Sequence, residues 1–363
     1  MNSKITYERT DESDFHYKML KTLVNERLKT LPKSREQKAK IRSILLLVTY
    51  FALYFLAIAN THSVPLFYSL YIAMGLVMVL VYLNLIHETV HGNVFENKFI
   101  NQLVLFLFDL MGPNSYIWKK RHIIMHHNYP NIFGWDTDIE QAGIFKIYPH
   151  GKPHGLQHYQ HYLFVLLYPL YLSNWLFIRD FKDFFLKNRL IKKTSKIPKV
   201  EYVKLIAGKL LFLTYMVGIP VMLGLPLLHA ILALLILLVT SGIFSLLILL
   251  SPHANIKNRF PLPDEHQVVR GGWFFHQLNT TNDVTTSNWF TRNLMGNFNY
   301  HLAHHLFPYV SCVYAPEITE IIKKHAQEYG LSYRSFSLFD ALKYHYLLLK
   351  QNADVKELFE ETM

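Results

Sequence analysis

Nine histidines stand at spacings that suit metal ligation: His87 and His91 in HETVH, His122, His126 and His127 in HIIMHH, His276 in FFHQLNTT, and His301, His304 and His305 in HLAHH. On a helix, positions i and i+4 share a face, so His87 with His91, His122 with His126, and His301 with His305 can each present two imidazoles in one direction. The adjacent histidine in HIIMHH and in HLAHH points about 100° away and can reach a second metal. The geometry therefore predicts two metals rather than one. The single cysteine, Cys312, excludes both a thiolate cage and an intramolecular disulfide framework, so nitrogen or oxygen must hold any metal. Imidazole suits iron, zinc, copper and nickel alike, and the residues alone stop at two metals of that borderline group.

The elements that must position these residues are apolar. The chain is 51% hydrophobic and 15% aromatic, with a formal charge of +11. That charge suits anionic lipid headgroups as well as nucleic acid, and the apolar spans decide for the membrane. Residues 43–59 and 65–86 carry no charge and are long enough to cross ~30 Å of hydrocarbon. A second hairpin is expected at 205–223 and 229–250, turning at Gly224 and Pro226, with Lys209 near enough to the end of its span to snorkel. The stretch 102–112 is too short to span, and 162–178 is interrupted by Pro169, Ser173 and Asn174; both read as in-plane or re-entrant.

The expected architecture is all-α. A polar segment 1–42 precedes a first hairpin 43–86, an in-plane region 87–204 with two histidine boxes, a second hairpin 205–250, and a helical cap 251–363 with the third box. Residues 1–42 hold 11 Lys or Arg and the stretch 179–204 holds nine, whereas the two far turns hold none. By the positive-inside rule the termini and the histidines face the cytoplasm. No cleavable signal peptide and no appended redox module is expected, so electrons must come from another protein.

The three boxes, with HHNYPNIFGWDTDIE after the second and NYHLAHHLFP around the third, resemble the membrane fatty acyl desaturases, especially the acyl-lipid, front-end type. The resemblance runs from about Tyr7 to the C-terminus. It implies two iron ions held by the nine histidines, four transmembrane helices under a cytosolic cap, and a narrow tunnel for an acyl chain. It also implies O2 as oxidant, a separate ferredoxin-like or cytochrome-like electron donor, and a substrate acyl group on a lipid, on coenzyme A or on a carrier protein. Removal of hydrogen from two neighbouring methylenes is the expected reaction, with hydroxylation as the runner-up. Desaturases of this type often carry Gln where this chain has His301, and many carry Asp where it has Glu88.

Glu88 admits a rival, because HETVH also matches the HExxH of zinc peptidases. Such an enzyme would leave the histidines of the second and third boxes unexplained. A metal transporter is disfavoured because the spans hold almost no polar residue. His150, His154, His158 and His161 lie among Pro and Gly and read as a polar loop. His253 lacks box spacing and reads as a neighbour of the site rather than a ligand. Asp136, Asp138 and Asp283 can orient ligating imidazoles or lie solvated in loops. Trp118, Lys119, Lys120 and Arg121 read as interfacial anchors.

Overall fold

The computed structural model describes residues 5–140, 143–285 and 287–354. Among them the fold is all-α apart from two short parallel strand pairs, Thr6–Tyr7 with Val268–Val269 and Asp283–Val284 with Ser335–Phe336. The chain divides into two compact units. One comprises the residues up to Arg35, Arg121–Phe164 and those from Leu247 onward; the other comprises Glu36–Lys120 and Val165–Leu246.

The second unit holds most of the apolar helices. Five runs are long and apolar enough to cross a membrane: Ser34–Ala59, Val64–Val90, Gly155–Thr194, Lys199–Met222 and Leu227–Leu249. The protein is therefore a membrane protein. Four of these runs overlap the expected spans. The fifth, Gly155–Thr194, contains the stretch expected to lie in-plane, and its hydropathy of 1.3 is the lowest of the five. Pro169 interrupts it, since proline supplies no amide proton, and the chain takes a 3-10 turn at Tyr168–Leu170. Lys98–Leu110, at 13 residues, is too short to span.

Small residues and backbone-directed hydroxyls join the apolar helices, as suits a medium without water to drive association. A Cβ added at Gly75 would stand 2.8 Å from the Leu237 carbonyl oxygen, and Ser241 donates to the Gly75 carbonyl at 2.9 Å. The π-turn Thr214–Gly218 loosens the helical ladder, and the carbonyls of Tyr215 and Met216 there accept from Tyr54 and Tyr71, each at 2.8 Å. Lys209 does not snorkel. It is 6% exposed and pairs with the fully buried Asp180 at 2.7 Å, a carboxylate that compensates the buried charge. Asp180 also accepts from the Trp175 indole at 3.1 Å and from the Asn114 amide at 3.0 Å. Trp118 likewise is buried rather than interfacial, packed edge-on against Tyr82 and Phe108.

The first unit bears the second and third histidine boxes. Helix Asp11–Lys29, capped by Thr10, packs against Gly272–Thr280 and Ala315–Glu328. Phe274 and His16 stack within this contact, and His16 Nδ1 meets His325 Nε2 at 2.9 Å. Ile5, Tyr129, Ile132 and Val269 form a small apolar core that fixes the segment following the second box.

Candidate metal centre

The second box does not lie on an α-helix. Lys120–His126 is a π-helix, in which the backbone bonds i to i+5, and the His127 amide accordingly bonds the His122 carbonyl at 3.0 Å. The wider turn changes which imidazoles share a face. His122 and His126 stay stacked, with ring centroids 5.7 Å apart, and His127 joins His122 as well, their Nε2 atoms 3.1 Å apart. His304 Nε2 stands 3.1 Å from the same His127 Nε2, so these three side chains aim at one point. The third box does lie on an α-helix, His301–Leu306, and there i and i+4 operate as expected: His301 and His305 face one way and His304 another.

His301 and His305 meet His126 and His253, and each of the four offers a ring nitrogen within 4.8 Å of the others. All four are buried. His253 is the residue that spacing could not reveal, because no second histidine accompanies it in sequence. It arrives through tertiary structure: its carbonyl accepts from Asn258 at 3.0 Å, and its Nδ1 donates to the Thr280 carbonyl at 3.1 Å. The usable signal was its place three residues past the last of the five apolar runs, Leu227–Leu249 with Leu250 following. His276, by contrast, turns Nε2 toward the Pro130 carbonyl at 2.9 Å and belongs to neither cluster. In the other unit His87 and His91 lie with ring centroids 5.0 Å apart, and Glu88 Oε1 stands 3.9 Å from His87 Nδ1.

Each ring's second nitrogen explains how the first is presented. His122 Nδ1 donates to Asp138 Oδ2 and His126 Nδ1 to Asp136 Oδ1, both at 2.9 Å, while His305 Nδ1 faces Gln277 Oε1 at 3.1 Å. Carboxylates and carbonyls only accept, so the proton sits on Nδ1 of His122, His126 and His253, and Nε2 carries the lone pair. His305 Nε2 is buried and has no hydrogen-bond partner. A buried orphaned nitrogen with other ring nitrogens gathered around it is what a cation with nitrogen ligands requires, so these residues fit a metal.

The electrostatics agree. Burial and the positive neighbours His253, His301, His126 and His304 push His305 well below the usual imidazole range. Burial, followed by His126, does the same to His253, and neutral rings are the ones that ligate. Burial also acts to lower His126, but the Asp136 carboxylate outweighs it and the net shift is upward. For Asp138, burial raises the carboxyl and the His122 hydrogen bond and charge overcome it, so it stays ionised. Asp283 orients no imidazole. It caps the third-box helix, accepting from the Leu302 amide and the Tyr333 hydroxyl, each at 2.7 Å, and burial lifts its carboxyl to about 6. The loop histidines remain structural: His150 bonds the Phe260 carbonyl at 2.7 Å and His158 the Ala353 carbonyl at 3.1 Å.

Comparison with known proteins gives the class. The sequence profile of the fatty acid desaturase family matches residues 61–337, and the chain belongs to that family. It is similar to an acyl-lipid (8-3)-desaturase of Physcomitrium patens, 28% identical over 96% of this chain and 73% of the relative. It is also similar to sn-1 linoleoyl-lipid 6-desaturases of Synechocystis sp., 29% identical over 71% of this chain and 72% of the relative, and of Arthrospira platensis, 27% identical over 80% of each. The protein is thus a fatty acid desaturase, an oxidoreductase acting on a lipid substrate, and its histidine clusters can hold metal.

Proposed function

We propose that the chain desaturates the acyl chain of a membrane lipid, using O2 and electrons from a separate ferredoxin-like or cytochrome-like protein. The buried set His126, His253, His301 and His305 carries this reading: four buried imidazoles share one place, each offering a ring nitrogen within 4.8 Å of the others. One ion is assigned to these four. The second is assigned to His122, His127 and His304, to which the sequence reading adds His87 and His91; His276 is left out. Two iron ions bound there would supply the oxidation in which two acyl hydrogens, O2, two electrons and two protons become a double bond and two waters. The protein's own work is to fix Nδ1 protons on Asp138, Asp136 and the Thr280 carbonyl, to aim Nε2, and to exclude bulk water by burial. The relatives are named for acyl lipids, which favours a lipid-borne acyl chain over a coenzyme A or carrier-protein thioester.

Four crossings with the histidines on the cytoplasmic face remain the proposed topology. The second and third boxes lie together in one unit, which supports an even number of crossings between His127 and His301. Of the three apolar runs between them, Gly155–Thr194 is the one proposed to dip and return. A Cβ at Gly242 would stand 2.7 Å from the Pro169 carbonyl oxygen. Gly242 lies seven residues before the end of helix Leu227–Leu249, so the proline turn sits ~10 Å inside that end, within one leaflet.

The test is expression in a host lacking related enzymes, with mass spectrometry of total fatty acids and metal analysis of the purified protein. Product two hydrogens lighter, lost in His304→Ala, with iron near two per chain, is expected. Product gaining one oxygen would establish a hydroxylase instead.

A further inference from the structure

Asn131 has no place in the histidine spacing, yet it is completely buried beside the four-histidine set. Its φ of 59° lies in the left-handed region, which asparagine tolerates better than most residues with a side chain. That conformation turns its two nitrogens in different directions. The backbone amide donates to Asp136 Oδ2 at 2.8 Å, and the other oxygen of the same carboxylate receives His126 Nδ1 at 2.9 Å. The side-chain amide nitrogen donates to the Arg259 carbonyl at 3.0 Å and the His253 carbonyl at 3.2 Å, with the Thr280 carbonyl at 3.4 Å. Three carbonyls around one amide group leave no doubt that the NH2 end faces them, because a carbonyl oxygen there would meet only acceptors. The Thr280 carbonyl is itself the acceptor for His253 Nδ1.

We infer that Asn131 is a positioning residue that couples His126 and His253, setting the aim of two rings in one ion's ligand set from a single turn. This rests on the two-metal reading above and adds to it the device that brings a lone histidine after the helix Leu227–Leu249 into register with the second box. His276 gains a role from the same geometry, since its bond to the Pro130 carbonyl holds the residue immediately before the turn. The inference is specific to one ion: no hydrogen bond of Asn131 reaches His122, His127 or His304.

Two substitutions separate its parts. Asn131→Gly accepts the left-handed conformation and retains the backbone bond to Asp136, but removes the amide that holds the His253 loop. Asn131→Asp retains shape and conformation but sets a carboxylate against three carbonyls. Each variant and the wild type are reconstituted with iron, followed by Mössbauer spectroscopy and by release of iron to a chelator. The expected result is that one of the two iron environments changes while the other stays as in wild type. One ion of the two should also leave about 10–100-fold faster, the loss typical when a ligand's supporting partner is removed. Equal acceleration of both ions in both variants would mean general loosening and would overturn the inference, as would wild-type spectra and release rates in both. A wild-type protein that holds fewer than two ions would sink the two-metal reading itself, and the inference with it, before any variant is compared.

Discussion

His253 faces His301 with 2.8 Å between their Nε2 atoms, and its Nδ1 proton is taken by the Thr280 carbonyl. A ring fixed in that way can offer only a lone pair to the centre. His276, which also lies outside the boxes, has its Nε2 committed to a backbone carbonyl.

These two residues should therefore behave differently. His253→Ala is expected to abolish product and lower bound metal toward one ion per chain. His276→Ala should retain metal near wild type and weaken the protein through the loss of a buried hydrogen bond, about 1–3 kcal/mol when the Pro130 carbonyl is left unpaired. Metal analysis of the two purified variants decides. Full metal in His253→Ala together with depletion in His276→Ala would reverse the assignment.

The metal-free protein should lose stability in acid. Burial holds His276 down to about 3 and His345 down to about 4, and His345 Nδ1 donates to the Ala254 carbonyl at 2.5 Å. In the unfolded chain both titrate near ~6.5, so below that pH the unfolded state binds more protons than the folded one. Their contribution is complete above ~6.5 and is lost as pH falls toward those depressed values, at up to ~1.4 kcal/mol per pH unit for each group. His126 acts in the opposite sense, because Asp136 outweighs burial and raises it; its contribution is present in acid and lost as pH rises. The sum of the buried neutral rings dominates, and the apparent melting temperature should be lower at pH 5 than at pH 7. His345→Gln should flatten the slope, and an unaltered slope would show that His345 is not held neutral.

The residue types of the site were legible because metal chemistry demands them, but their grouping was not. HIIMHH reads the same whether it winds as an α-helix or a π-helix, and it is the π-helix that brings His127 to His122 in addition to the stacked His126. In HLAHH the α-helical assumption held, and the faces of His301, His304 and His305 came out as expected. Contacts far apart in sequence had no signal: Thr280 and Asn258 carry His253 to the centre, and Asp283 starts the third-box helix rather than orienting a ring. The apolar helices were readable from hydropathy, while Lys209 was misread because its partner Asp180 lies 29 residues away in sequence.

That buried pair is open to a direct test. Lys209→Met leaves the Asp180 carboxylate buried without its cation, and breaking such a pair costs about 3–5 kcal/mol. Asp180→Asn added to it removes the stranded charge and keeps one acceptor oxygen, which can serve the Trp175 indole or the Asn114 amide but not both. The single variant should melt well below wild type in detergent, and the double variant should recover most of the loss. A double variant no more stable than the single one would mean that the ion pair itself, not relief of an isolated charge, is what the fold needs here.

The proposed topology can be read with single cysteines, since Cys312 is the chain's only native one and Cys312→Ser provides a clean background. Lys33→Cys, Lys187→Cys and Met222→Cys all place the thiol at exposed positions. If Gly155–Thr194 enters and leaves by one face, position 187 reacts with an impermeant thiol reagent from the same side of sealed vesicles as position 33, and position 222 reacts from the opposite side. If that run crosses, the pattern inverts: 187 stands opposite 33, and 222 joins 33. The second arrangement would also require the second and third boxes to lie on opposite faces, which is incompatible with His127 and His304 meeting at 3.1 Å. The labelling pattern therefore tests the crossing number and the shared centre together.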